Sequence, residues 1–192
     1  MKVISNNQLS IAVKYLKQGK ILVFPTETSY GLGCDATNQN AVNKIFKIKG
    51  RQSDKPLLVV IPSVEMAKKY LVWNDLLSDL SKKYWPGPLT IVSEYNKKEN
   101  LATGVVASDN TVAVRVTNNP IAKFLSEKLG RPVVATSANL ADAGEVYDPK
   151  KIEIKTDIIV NGGVLPHNPP TTIVSVVNNN LQILRQGQLQ II

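Results

Sequence analysis

The chain has 192 residues, 43% of them apolar, with 23 Lys and Arg against 15 Asp and Glu for a formal net charge of +8. That length carries one domain with a core that needs no disulfide or metal, and residues 1–20 show no secretory signal while no apolar run approaches membrane-spanning length. A single Cys34 excludes an intramolecular disulfide and a Cys-rich cluster, and a single His167 argues against a His-based zinc site or a Ser-His-Asp triad.

Leu9, Ala12, Val13 and Leu16 recur at helical spacing before Gly19, which predicts a helix over 7–18. A buried strand follows at 20–24, and Ala41, Val42, Ile45 and Ile48 mark a helix over 39–49 that Gly50 ends. Leu57 to Ile61 reads as a buried strand between Pro56 and Pro62, with short helices at 63–71 and 75–84 behind it. The run Trp85-Pro86-Gly87-Pro88 must break helix, and strand resumes from Leu89 to Tyr95. Further strands are expected at 112–116, 132–135 and 157–160, with a helix at 119–129. Thr172 to Val177 and Leu181 to Leu184 predict a hairpin around Asn178-Asn179-Asn180. Interleaved strands and helices give an α/β class with a mixed sheet, read as a single domain over 1–192. The polar stretch from Ala141 to Lys155 is the loosest, a surface loop or a mobile flap.

Several segments carry chemistry. Pro25-Thr26-Glu27-Thr28-Ser29-Tyr30-Gly31-Leu32-Gly33 leaves a buried strand with hydroxyls and glycines, at the carboxyl end where open α/β sheets bind ligands. It reads equally as a Gly-rich turn. Lys47, Lys49, Gly50 and Arg51, followed by Lys55, group cations at a helix end, as an anion site or as a solvated terminus. Trp85-Pro86-Gly87-Pro88-Leu89-Thr90 reads as a rigid turn, with Thr90 its residue best placed to face a ligand. Thr111 opens a strand that carries Arg115 among apolar residues, where its charge requires a partner, from the protein or a ligand. The strand 133–135 ends in Thr136-Ser137-Ala138-Asn139, small groups able to bind ribose or phosphate oxygens or to cap a helix. Pro170-Thr171-Thr172 and Leu184-Arg185-Gln186-Gly187 repeat this chemistry of hydroxyl, Arg and Gly.

The positive charge favours polyanions or phosphorylated small molecules, and it is spread over Lys14, Lys17 and Lys20, then Lys44, Lys47, Lys49 and Arg51, so nucleic acid would meet a folded surface. There is no Walker loop, no Gly-x-Gly-x-x-Gly before a helix and no Gly-x-Ser-x-Gly. Residue types alone therefore support an anion-binding α/β domain.

Taken in order, these segments resemble the YrdC-like family, the threonylcarbamoyl-AMP synthases, over nearly the whole chain. The resemblance implies a twisted mixed sheet with flanking helices enclosing a positively charged cavity. It implies condensation of L-threonine, bicarbonate and ATP to threonylcarbamoyl-AMP and pyrophosphate, with magnesium carried on the nucleotide and no metal bound by the protein. A downstream complex would transfer the group to the adenosine beside the anticodon of tRNA, which this chain itself would contact weakly. By resemblance Lys49 and Arg51 are the catalytic cations. Thr26, Thr28, Arg51 and Thr171 would bind substrate, and Lys49, Thr111, Arg115, Ser137, Asn139 and Arg185 the nucleotide. Ser29 stands where many relatives carry Val, Thr171 where Ser is usual, and Val60 where some carry a His. The short stretch after Arg185 is expected to mean a single-domain form, and the location expected is the cytoplasm. Other readings of the same segments are an RNA-binding module, a carbamoyl-AMP-forming domain, or a paralogue with another small-molecule substrate.

Overall fold

The computed structural model describes residues 2–50, 56–140 and 144–191. Their strands fall into two sheets. The first contains β1 (Lys2–Ser5), β2 (Leu22–Pro25), β3 (Tyr30–Gly33), β8 (Thr136–Ser137) and β9 (Ile158–Asn161), in the order β1-β9-β2-β3-β8. The second contains β4 (Val59–Ile61), β5 (Leu89–Glu94), β6 (Thr111–Val116), β7 (Val133–Val134), β10 (Thr172–Val177) and β11 (Asn180–Arg185), in the order β11-β10-β5-β6-β4-β7. Both are mixed: β1 and β2 run parallel to β9 while β3 is antiparallel to β2. In the other sheet β10 runs parallel to β5 and β6 antiparallel to it.

The helices are α1 (Leu9–Lys17), α2 (Gln39–Lys49), α3 (Val64–Tyr70), α4 (Asp75–Tyr84) and α5 (Pro120–Leu129). Their ends follow local chemistry. Asn38 Oδ1 accepts from the Ala41 N–H at the start of α2, and Gly50 closes it at φ 60°. Asn119 Oδ1 accepts from Ile121 and Ala122 at the start of α5, with Pro120 at the first position where a missing N–H costs nothing. Helix α1 begins later than the sequence predicts because Asn6–Gln8 form a 3₁₀ turn.

Two apolar clusters hold the layers together. In one, Leu16 of α1 and Leu125 of α5 pack on Leu22, Phe24 and Val60. In the other, Ile45 of α2, Ala67 of α3 and Leu77 of α4 cover Leu32, Ile61, Ile91 and Val114. Each fully buried Leu or Ile contributes about 1.5–3 kcal/mol, so these clusters supply most of the drive to fold. Among the described residues no helix is long and apolar enough to cross a membrane.

The strand 20–24 of the sequence reading shifts to Leu22–Pro25, and the glycines after it lie in a strand and not in the turn. Tyr30–Gly33 is a strand, and residues 26–29 are the loop of a β2–β3 hairpin. A strand with two glycines is legible only from its neighbours: a Cβ on Gly33 would sit 2.1 Å from Val134 O and 2.7 Å from Phe24 Cε1. The chain crosses there because β7 passes hard against it. Val134 N–H donates to Cys34 O and Ala36 N–H to Pro132 O, while Ala135 N–H reaches Leu58 O. Residues 133–137 thus run from one sheet to the other, and a cleft opens at the seam they form.

Candidate active site

A cleft of about 110 Å³ opens at this seam. Its walls come from the β2–β3 loop (Thr26, Thr28, Ser29), from Thr136 and Ser137 of β8, from Arg115 near the end of β6, and from Thr171 and Arg185. The loop holds itself: Thr26 Oγ1 donates to Ser29 O at 2.7 Å, accepts from the Thr28 N–H at 3.2 Å, and lies 3.2 Å from Thr28 Oγ1. Thr26 therefore shapes the loop that presents Thr28.

Lys49, the last residue of α2, reaches across to the segment after β8. Its Nζ donates to Ser137 O and Oγ at 2.9 and 3.2 Å and to Asn139 O and Oδ1 at 2.7 and 2.6 Å. Ser137 Oγ donates to Asn139 Oδ1 at 2.6 Å. Lys49 is only 5% exposed, and a buried ammonium is tolerable because oxygens replace its water. One cation thereby fixes the backbone and both side chains of the Ser137-Ala138-Asn139 run.

Arg115 finds its partner within the protein. Its Nε lies 3.3 Å from Glu27 Oε1, and both side chains are buried. Thr117 Oγ1 donates to the other carboxylate oxygen at 3.0 Å.

Thr171 is fastened from two sides. Arg185 donates through Nε and Nη2 to its carbonyl at 3.1 and 2.8 Å and through Nη2 to its hydroxyl at 3.1 Å, and Thr90 Oγ1 lies 3.1 Å away on the inner side. Thr90 is fully buried and supports Thr171; it does not face the cleft as the sequence reading expects. Burial pushes the Arg185 guanidinium below its ordinary pKa, Glu145 raises it and the Arg115 charge lowers it again. Two like charges thus look into one small cleft, an arrangement that favours an anion between them.

A second cavity of about 420 Å³ adjoins the first, sharing Glu145. Ala138, Asn139 and Leu140 form one wall, and Gly144 to Asp148, with Lys151, Glu153, Ile154, Val164 and His167, form the rest. Its size suits a cofactor-sized ligand. Tyr147 and His167 stack at 3.9 Å between centroids, and the Tyr147 hydroxyl donates to Glu145 Oε2 at 3.0 Å. Tyr30 N–H donates to Val146 O and Leu165 N–H to Tyr147 O, so residues 146–147 are pinned as a wall. Residues 141–143 of the flap expected over 141–155 lie outside the described residues. Among the lining residues, basic character is confined to the smaller cleft, since Glu145, Asp148 and Glu153 outweigh Lys151 in the larger cavity.

The sequence profile of the Sua5/YciO/YrdC family, described as telomere recombination, matches residues 14–187. The chain belongs to this family. It is 34% identical over 190 residues to the threonylcarbamoyl-AMP synthase of Pyrococcus abyssi, covering 95% of this chain and 54% of that protein. It is 33% identical over 189 residues to the Vibrio vulnificus (strain YJ016) enzyme of the same name, covering 94% of this chain and 99% of that one. The crystal structure of P. abyssi Sua5 complexed with L-threonine superposes with a TM-score of 0.89 at 31% identity, covering 98% of this chain and 57% of that chain. The chain thus spans about half the length of the Pyrococcus relative and nearly all of the Vibrio one.

Set on this YrdC-type fold, the residues expected at the site separate into four groups. Thr26, Thr28, Arg115, Ser137, Thr171 and Arg185 line the small cleft, and Lys49 and Asn139 meet at the boundary between the cavities. Thr111 does not join them. Its hydroxyl donates to Asp109 Oδ1 at 2.7 Å in the turn before β6, and four residues of extended strand place it about 13 Å along the chain from Arg115. Arg51 and Lys55 lie outside the described residues. Sequence reasoning gave no role to Glu145, Tyr147 or His167. The two aromatics sit twenty residues apart in polar loops, and no periodicity links them.

Among the described residues no group of three or more His, Cys, Asp or Glu could hold a metal ion.

Proposed function

We propose that this chain condenses L-threonine, bicarbonate and ATP into threonylcarbamoyl-AMP and pyrophosphate, as a nucleotidyl-transferring enzyme of the cytoplasm. The observation that carries the reading is the adjacency of two cavities of different character. The cleft with Arg115, Arg185 and the Thr28 and Thr171 hydroxyls suits a small hydroxylated amino acid, and the 420 Å³ cavity beside it has the size for the adenosine of a nucleotide whose phosphates would turn away from its carboxylates, toward Lys49 and the cationic cleft.

In this reading the threonine amine attacks carbon dioxide derived from bicarbonate, giving a carbamate. A carbamate oxygen then attacks the α-phosphorus of ATP, and pyrophosphate leaves. Neither step calls for a protein nucleophile; both depend on alignment and on neutralising anions. The guanidiniums orient the amino-acid carboxylate. Lys49 stabilises charge where the two cavities meet and keeps Ser137 and Asn139 facing the nucleotide. Arg51 follows Lys49 by two residues and is assigned the phosphates on the family resemblance alone. With no carboxylate or imidazole cage in the described chain, a magnesium ion would be held by the nucleotide's phosphates and would supply charge neutralisation there. The product would pass to a separate threonylcarbamoyl-transfer complex acting on tRNA.

The test is pyrophosphate release from ATP by the purified chain, with L-threonine and bicarbonate omitted in turn. Release that requires both is the expected result. A folded protein that binds ATP yet shows no threonine-dependent release would overturn the reading and leave a paralogue with another substrate or an RNA-binding module.

A further inference from the structure

The buried acid of the β2–β3 loop has no part in the chemistry above, yet its carboxylate is held at both ends by other parts of the fold. Glu27 and Arg115 meet at 3.3 Å with side chains 8% and 4% exposed. The Glu27 Oε1 and Arg115 Nε atoms at the contact make no hydrogen bond, so this contact is one of charge. The other end of the carboxylate is fixed by hydrogen bonding. Thr117 Oγ1 accepts from the Asn119 N–H at 3.1 Å, which turns its single proton toward Glu27 Oε2 at 3.0 Å. Asn119 is the N-cap of α5, and Asn168 Nδ2 donates to the Glu27 carbonyl at 3.0 Å. A line of contacts therefore runs from the helix cap through Thr117 and Glu27 to Arg115, whose guanidinium lines the small cleft.

We propose that Glu27 is a positioning residue. It sets the rotamer of Arg115 and supplies the counter-charge that keeps that guanidinium at the cleft wall, and through Arg115 it sets affinity for the substrate's anionic group. An unpaired Arg115 beside Arg185 would be driven apart from it by like charge; the Glu27 carboxylate removes that repulsion from one side and leaves the remaining N–H groups for the ligand. Identifying that anion as the amino-acid carboxylate rests on the function proposed above. The positioning role does not.

The test compares the full chain with Glu27→Gln, which keeps the shape and the bond from Thr117 but removes the charge. Titration calorimetry with L-threonine and, separately, with ATP reads the anion. Labelling by phenylglyoxal, followed residue by residue by mass spectrometry, reads Arg115 without any ligand. Expected is a loss of about 10–100-fold in affinity for L-threonine, the size typical when the partner that orients a ligand-binding group is lost, with ATP affinity held. Labelling should quicken at Arg115 and stay constant at Arg131, a contrast that general destabilisation would not produce. A loss for ATP instead would support the positioning role and assign Arg115 to phosphate. If the wild-type chain binds no threonine, the proposed function fails while the labelling still decides the role of Glu27. Unchanged affinities together with unchanged Arg115 labelling overturn the proposal. Should Glu27→Gln not fold, Thr117→Val, which removes only the hydroxyl holding the carboxylate, must move the same readings in the same direction by a smaller amount.

Discussion

The ammonium of Lys49 lies 2.6 Å from Asn139 Oδ1 and 2.7 Å from the Asn139 carbonyl, ninety residues away in sequence. The contact joins the C-terminus of α2, where cations suit the helix dipole, to the loop that separates the two cavities. Lys49→Met keeps the chain length but leaves two carbonyls and the Asn139 side chain without their cation. Stability should fall by about 1–3 kcal/mol, the cost of a buried polar group losing its partner. Turnover should fall further, about 100-fold, because Ser137 and Asn139 lose their orientation. Lys49→Arg should not rescue it, since a planar fork cannot direct donors at four oxygens gathered around one point. Thermal melts and pyrophosphate release measure the two effects; a variant that melts earlier but turns over normally would confine Lys49 to a structural part.

Gly187 packs on the segment that carries Thr171. A Cβ there would lie 2.2 Å from Pro170 O, 2.4 Å from Thr171 C and 2.5 Å from Thr172 N, all backbone atoms with no side chain to swing aside. The same stretch is buttoned down by Thr172 Oγ1, which donates to Leu189 O and accepts from the Gly187 and Leu189 N–H groups. Gly187→Ala should displace residues 170–172, costing about 1–3 kcal/mol and raising the KM for threonine. Gly130→Ala makes a control: at φ 73° with nothing within 4 Å, it should cost about 1 kcal/mol in backbone strain and leave KM unchanged. Equal KM values for the two variants would detach the C-terminal segment from the site.

What the sequence discloses and what it hides follow from range of interaction. Helices α2 and α5 were legible because Asn38, Gly50, Asn119, Pro120 and Gly130 mark their ends within a few residues. Strand β3 was not, since Gly31 and Gly33 signal a turn locally, and the reason for Gly33 is the carbonyl of Val134 a hundred residues on. Strand β1 is not legible in the sequence because it buries only Ile4 and has no pattern to show. At the site, residue types pointed to hydroxyls and cations around Lys49, Ser137 and Thr171, and the fold brings those together. The expectation for Thr111 comes from the resemblance, and in the structure its hydroxyl donates to Asp109. The sequence leaves the partner of Arg115 open between protein and ligand, and only the folded chain identifies Glu27.

Two buried phenols set a limit on alkaline stability. Burial, with smaller contributions from Glu99, Asp35 and Tyr95 and an opposing one from Arg131, pushes Tyr70 up to about 12. Burial, opposed by the Gly162 N–H and aided by Asp148, raises Tyr30 as well. Unfolding would let each phenol ionise near its ordinary value of about 10. The stability held by protonated Tyr70 is therefore complete below pH 10 and is lost as pH rises from 10 through 12, because the native state then retains a proton that the unfolded state has released. Urea midpoints should decline over that interval, and Tyr70→Phe should flatten the decline. An equal slope in wild type and variant would place the alkaline transition elsewhere.

Thr111 and Thr171 offer a matched pair, one hydroxyl in a turn and one in the cleft. Thr111→Val removes a bond to Asp109 and should cost about 1 kcal/mol, with pyrophosphate release within twofold of wild type. Thr171→Val removes a hydroxyl that Arg185 and Thr90 hold at 3.1 Å each, inside the wall of the cleft. The backbone carbonyl of Thr171 still accepts from Arg185 at 2.8 Å, so the segment stays fastened and the loss falls on the hydroxyl alone. Turnover should drop about tenfold or more, since about 1.4 kcal/mol of lost transition-state stabilisation is a factor of ten in rate, and stability should fall by about 1–3 kcal/mol because the fully buried Thr90 hydroxyl loses its partner. If Thr111→Val is the variant that loses activity, the substrate reaches the far end of β6 and the site extends beyond the two cavities.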